Sequence, residues 1–323
     1  MPQWLFEKIG NQPNPVFALQ SSLNWIQSLA FEISDFHGNS PLDQYNSCLE
    51  EIRASGVTPL QNPERLDVGE TFGSLYRALT FTMALDTFVK AEPKAWTYPA
   101  AIVQWYYAIY NSLRAINIAQ TLELTDTHAG LSKSLNNLSQ FLPHPFNVLA
   151  EWQEGENYLC TLPTPGHSTV YDLTRAFEAD AQKCRGMIIQ YLKGTTVFEL
   201  DKVKERLKEK NGIENFRTAA NRELRDRAAP RRVNFLHCAF RYRGKANYRD
   251  AIFLTYGESD IRFDGRFITA LHNISRFAVL AAFAFLKVRV PGDHWNLFKA
   301  DLDQNVRHLN SVPVEDRFWS TIA

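Results

Sequence analysis

Three short runs of this chain place chemically useful side chains at helical spacing. The first is Trp105 to Ala115 (WYYAIYNSLRA), where Tyr106, Tyr107 and Tyr110 fall within about one turn, followed by Asn111 and Arg114. Aromatics so spaced are first of all core residues. A buried Asn or Arg needs a partner, however, so an inter-helix polar network is expected as well. The second run is Asp126 to Leu131 (DTHAGL). In a first helical turn His128 lies at the positive end of the helix dipole, which disfavours its protonated form; it could equally cap or pack against the preceding loop. The third is Arg243 to Asp250 (RGKANYRD), where Arg243, Asn247 and Asp250 share a helix face at i, i+4 and i+7. A guanidinium beside an amide and a phenol can hold a phosphate, because Arg presents a fixed fork of donors. A salt-bridged face joining Arg243 or Arg249 to Asp250 would use the same residues.

Helices must position these groups, and the sequence supplies signals for them. Residues 13 to 62 alternate short helical patterns with Pro- and Asn-containing breaks. A helix is expected from about Tyr76 to Glu92, stopped by Pro93, and a stronger one from about Pro99 to Ala119. Pro99 suits a first turn, where the missing N–H costs nothing. The apolar residues that follow wrap most of the circumference, which marks that helix as central. Thr125 or Asp126 can cap a helix beginning near His128. Leu142 to Ser168 is rich in Pro, Gly and short polar residues, with YLCTL as a short strand. Further helices are expected from about Tyr171 to Leu192, closed by an αL cap at Gly194, then at 201–210, at about Lys245 to Thr255, and at about Arg266 to Lys287. Asn211-Gly212 and the GDH at Gly292 to His294, after Pro291, read as turns. The fold class is therefore all-α in the main, with a small β element near 146–168. The division is an N-terminal helical region, 1–92, and a helical domain, 93–323, carrying an insertion at about 146–215.

Composition narrows the function. Hydrophobic residues make up 45% and charged residues 22%, as in an ordinary globular chain rather than a disordered one. The apolar run Phe277 to Leu286 is bracketed by Arg276 and Lys287 and reads as a buried helix, too short for a membrane span. No basic segment followed by an apolar run opens the chain, so no signal peptide is expected. Cys48, Cys160, Cys184 and Cys238 lie far apart with no CxxC spacing, which suits small buried residues in a reducing, cytoplasmic setting. No Walker A, GxGxxG, HExxH or GxSxG motif occurs, so neither a cofactor nor a metal is expected. The net charge is zero but uneven: Asp201 to Asp250 holds fifteen Lys and Arg against seven Asp and Glu. Such a basic segment is the footprint expected near a nucleic acid, although a solvated amphipathic helix at 201–210 accounts for part of it.

Taken in order, the YYA at Tyr106 to Ala108, the THAGL at Thr127 to Leu131 and the RGKANY at Arg243 to Tyr248 resemble motifs of the HEPN superfamily (higher-eukaryote and prokaryote nucleotide-binding proteins). The resemblance covers about half the chain. It implies a HEPN-like helical bundle that binds or cleaves RNA, as an effector of antiphage defence or a toxin–antitoxin pair. It also implies a homodimer, and a protein partner encoded nearby. HEPN ribonucleases pair R-x(4–6)-H, the Arg steadying the scissile phosphate and the His acting in metal-independent cleavage. Here the aligned residues are Arg243 and Tyr248, with Asn247 between them, and an unperturbed phenol titrates near pH 10, which makes it a poor base at neutral pH. Arg232 and His237 satisfy the same spacing, and Arg232 follows Ala-Ala-Pro-Arg at a loop-to-helix entry. Arg266 and His272 also match by count but share a helix face poorly. Lys245, Arg249, Tyr107, Asn111, Arg114 and His128 complete the expected substrate contacts. A non-catalytic module that binds a nucleotide or a partner protein, or a structural subunit of a larger complex, fits the same residues.

Overall fold

The computed structural model describes residues 16–90, 97–153, 155, 157–163, 177–246 and 265–305. Ten helices and one three-stranded sheet are present among them. In chain order they are α1 (Val16–His37), α2 (Pro41–Ala54), α3 (Val68–Lys90), α4 (Tyr98–Thr121), α5 (His128–Leu138), β1 (Leu149–Trp152), β2 (Tyr158–Thr161), α6 (Ala181–Asn211), α7 (Ala219–Ala228), β3 (Arg232–Asn234), α8 (Phe235–Gly244), α9 (Gly265–Arg289) and α10 (Gly292–Asn305). The mainly all-α class and the small β element near 146–168 are both observed.

α9 is the central pillar, buried almost continuously from Phe267 to Leu286, with α1 to α4 packed around it. By length and composition it could cross a membrane, but 78% of its apolar stretch is buried inside the fold. The apolar run read from the sequence is only the middle of it. α4 is the second pillar and shows what an all-round apolar helix becomes: seventeen of its residues are buried. The core cluster runs without a break from Leu19 on α1 to Leu302 on α10, so residues 16–90 and the later helices share one core. Trp25 joins four helices at its centre. It stacks on Tyr191 of α6 at 4.2 Å, and meets Trp105 of α4 at 5.8 Å and Tyr242 of α8 at 6.0 Å edge-on.

β1 is the middle strand, antiparallel to β2 and to β3, with Ala150 facing Cys160 on one side and Val233 on the other. β3 is three residues long and lies where a simple loop-to-helix entry was expected. Two further expectations are corrected. α6 runs through Gly194 to Asn211 instead of ending at an αL cap. Gly194 sits in mid-helix because a Cβ there would come within 3.2 Å of Arg241 Nη1, and the αL cap is Gly212, at φ +63°. The segment after Pro291 is the first turn of α10 rather than a free turn. Residues 247–255 of the helix expected at 245–255, and 171–176 of the one expected at 171–192, lie outside the described residues; 177–180 are not helical, because Asp180 caps α6 with its side chain and the helix starts at Ala181.

Candidate functional site

Residues from α4, α5 and α8 converge at one corner of the bundle. Tyr106 is fully buried, and its Oη lies 2.7 Å from His128 Nδ1. The His128 ring packs against Tyr110 at 4.5 Å and Phe240 at 5.5 Å between centroids. Arg243, in the last turn of α8, lays its guanidinium over three rings. Its Cζ is 5.1 Å from the centroids of Tyr106 and Phe240 and 5.8 Å from that of Tyr107. Its Nη1 donates to Tyr107 Oη at 3.2 Å, while its Nε is buried without a hydrogen-bond partner. No carboxylate among the described residues pairs with it. The three sequence runs, up to 137 positions apart, thus meet at a single half-buried corner.

Local sequence explains how His128 is held. Thr127 caps α5, its hydroxyl accepting from the Gly130 N–H at 3.0 Å. Only glycine fits at 130, since a Cβ would meet Thr125 Cγ2 at 2.8 Å and Thr127 Oγ1 at 2.9 Å. Arg114 fixes the preceding loop. It donates to Thr125 O at 3.2 Å and Asp126 Oδ1 at 3.1 Å, and on its other side to Glu70 Oε2 at 2.6 Å and Ser74 Oγ at 2.7 Å. Asn111 accepts from Arg77 Nε at 3.3 Å and donates to Tyr107 O at 2.8 Å. This is the inter-helix network expected of a buried Asn and Arg. In it two arginines, Arg77 and Arg114, face two carboxylates, Glu70 and Asp126, and the charges balance. Asn111 and Arg114 therefore position the corner rather than present free donors.

The electrostatics of the corner favour neutral His128 and a neutral phenol. Burial lowers the affinity of His128 for a proton, and the Arg243 charge lowers it further. Burial raises the Tyr106 phenol far above its usual range. A phenol that never ionises must still place its hydrogen, and its hydrogen-bond partner among the described residues is His128 Nδ1. With the hydroxyl donating, the neutral imidazole carries its own hydrogen on Nε2. In that tautomer Arg243 and His128 offer donors and no acceptor, the chemistry of an anion clamp rather than of a general base.

The remaining expected site residues are distributed elsewhere. Arg232 pairs with Glu151 at 2.9 Å across the sheet and donates to Asn136 O at 3.0 Å. His237 closes the capping box of α8, its Nδ1 3.2 Å from the Asn234 N–H, and burial holds its pKa down at about 4. Both are thus engaged in local structure. Lys245 lies over the Tyr191 ring at 5.7 Å, on the α6 side. Asn247, Tyr248 and Arg249 lie outside the described residues. Arg266 and His272 both sit on α9. No group of three or more His, Cys, Asp or Glu is placed to hold a metal among the described residues.

A second polar cluster carried no sequence signal. Glu32 of α1, fully buried, accepts from His144 Nε2 at 2.7 Å and from Arg185 Nε of α6 at 3.2 Å. His37 joins it through Nε2, 2.6 Å from His144 O, and through Nδ1, 2.7 Å from Ser47 Oγ and 3.4 Å from Glu51. Burial holds His37 at about 4 and raises Glu51 to about 7. No protein-family model, curated protein or solved structure matches this chain.

Proposed function

We propose that this chain is a HEPN-like helical protein that binds RNA, with Arg243 and His128 holding a backbone phosphate. The single observation that carries this reading is the Arg243 guanidinium. It has no carboxylate partner among the described residues, is braced on Tyr106, Tyr107 and Phe240, and stands beside an imidazole that it helps to keep neutral. A cation held so firmly and left uncompensated is suited to a ligand anion. The basic segment from Asp201 to Asp250 supplies the surrounding charge. Binding is favoured over cleavage because the Tyr106 hydroxyl engages His128 Nδ1, which leaves Nε2 as a donor.

Titrating the binding of a labelled single-stranded RNA against salt tests this. Each phosphate contact contributes a slope of roughly −0.7 in log affinity against log salt. Arg243→Ala is expected to flatten the slope by about 0.7 and weaken binding to all sequences alike. A salt-independent affinity, or an Arg243→Ala protein that binds as the parent does, would sink the proposal. RNA fragments that appear with the parent protein and vanish with His128→Gln would replace binding with cleavage.

A further inference from the structure

The basic segment meets the β-hairpin at a groove of about 490 Å³. Its lining is Trp152 and Gly155 of the hairpin, Arg231 before β3, and one face of α7: Ala219, Arg222, Glu223 and Asp226, with Arg227 at the edge. Those α7 positions recur at i, i+3, i+4 and i+7, which turns a single stripe of the helix toward the sheet. The groove is within the size range of sites that take small organic groups.

The wall is built rather than incidental. The Trp152 N–H donates to Arg231 O at 2.9 Å, and Tyr158 Oη donates to Pro230 O at 2.9 Å, so the hairpin and the 230–231 segment are stitched together. The Tyr158 ring meets the indole at 5.0 Å and 77°, which fixes its orientation and leaves it half-buried. α7 is anchored by Arg225, buried and paired with Asp226 at 2.7 Å.

Charge within the groove is uneven once internal pairs are removed. Asp226 is taken by Arg225, which does not line the groove, and Glu223 is taken by Arg227. Arg222 donates only to a carbonyl, that of Arg217, and Arg231 pairs with no carboxylate among the described residues. Two exposed guanidinium groups therefore flank a half-exposed indole. Glu154 and Glu156 flank Gly155 in the sequence, so charge alone would not attract a polyanion strongly to this rim. The aromatic face must supply the selectivity.

We propose that this groove takes an unpaired nucleobase, stacked on Trp152, with the flanking phosphates of a single strand held by Arg222 and Arg231. Stacking on an aromatic ring beside basic side chains is how single strands are bound without sequence readout. The inference rests on the RNA-binding reading above but uses neither Arg243 nor His128. β3, which follows Arg231, leads directly into α8, the helix that bears Arg243.

The test uses the full chain and a labelled twelve-nucleotide oligouridylate. Trp152→Ala is expected to weaken binding roughly 5- to 150-fold, the range for one stacked base, and Trp152→Phe to recover much of that. Arg222→Ala with Arg231→Ala should lower the salt slope by about 1.4, since two phosphate contacts are lost. Both arginines are exposed, so thermal unfolding of that variant should match the parent's. If these variants bind as the parent does while Arg243→Ala is weakened, the groove is refuted and the RNA reading stands. If they are weakened and Arg243→Ala is not, the groove stands and the phosphate clamp falls. If the parent shows no binding to the oligonucleotide, both fall.

Discussion

In the buried cluster the Glu32 carboxylate meets Arg185 and His144, and His37 and Glu51 are each shifted toward their neutral forms. At the Tyr106–His128–Arg243 corner a guanidinium lies on three aromatic rings with no carboxylate opposite it among the described residues. Both regions join elements distant in sequence, and both depress the proton affinity of a histidine. They differ in what they leave over. The first sets a buried arginine against a buried carboxylate; the second keeps a cation half-buried with no carboxylate opposite it among the described residues. A closed ionic cluster holds helices in register, whereas an open one is prepared for a ligand. That contrast, more than the mere presence of Arg and His, identifies the corner as the functional candidate.

Breaking the charge pairing should separate the two most sharply. Glu32→Gln removes the carboxylate that Arg185, only 5% exposed, donates to, and is expected to cost about 3–5 kcal/mol of stability in denaturant unfolding. Replacing Arg185 by Met in the same protein should recover part of that loss, because a buried charge is removed along with the carboxylate it faced. Arg243→Ala removes ring contacts worth about 1 kcal/mol and leaves no buried partner charge behind. If Glu32→Gln cost no more than Arg243→Ala, the distinction between a closed and an open cluster would collapse.

Acid should act next, and its sign follows from the shifts. His37 and His237 are held at about 4 in the fold against 6.5 when free. As pH falls from 6.5 toward 4 the unfolded chain takes up protons at these positions that the folded chain refuses, so stability is lost. Glu51 opposes this. Raised from 4.5 to about 7, it stabilises the fold in its protonated form below about 4.5 and loses that contribution as pH rises to 7. Between 4.5 and 6.5 two histidines outweigh one glutamate by about one proton. From these three groups stability should therefore rise with pH by about 1.4 kcal/mol per unit, and the lowered His128 adds to that rise, as read by urea unfolding across that range. His37→Gln removes one of the two and should flatten the slope; a steeper slope in that variant would show that the buried cluster is not what titrates.

The sequence made some of this legible, for physical reasons that differ by element. α4 announced itself because Pro99 marks a first turn and the residues after it are apolar all round. α5 was placed by its capping residues, although the cap is Thr127 rather than Thr125 or Asp126. Gly194 misled because glycine has two uses. Here it yields space to Arg241 instead of ending the helix, and the partner it accommodates is 47 positions away. β3 could not be read at all, since three residues become a strand only by pairing with β1, some eighty positions earlier. The Glu32 cluster was invisible for the same reason, its partners lying 112 and 153 residues from it. At the corner, the residue types at 107, 128 and 243 were readable one by one. Which histidine stands beside Arg243 was not, because linear spacing set Tyr248 after Arg243 and paired His237 with Arg232, whereas the fold supplies His128 from another helix.

The smallest expected effect bears most directly on whether the corner binds or cleaves. Tyr106→Phe keeps the ring against Phe240 and Arg243 and removes one hydroxyl, at a cost of about 1 kcal/mol. In the parent, nitrogen chemical shifts of His128 at neutral pH should report the tautomer with hydrogen on Nε2, because the Tyr106 O–H occupies Nδ1 at 2.7 Å. In Tyr106→Phe that lock is gone, and a mixture of both tautomers is expected with the fold intact. The alternative in the parent, hydrogen on Nδ1 donated to the phenol oxygen, would leave Nε2 as a bare acceptor next to Arg243. An imidazole in that state, kept neutral by burial and by the guanidinium, is a competent general base. Finding it would move this corner from a phosphate clamp to a cleavage centre without shifting a single backbone atom.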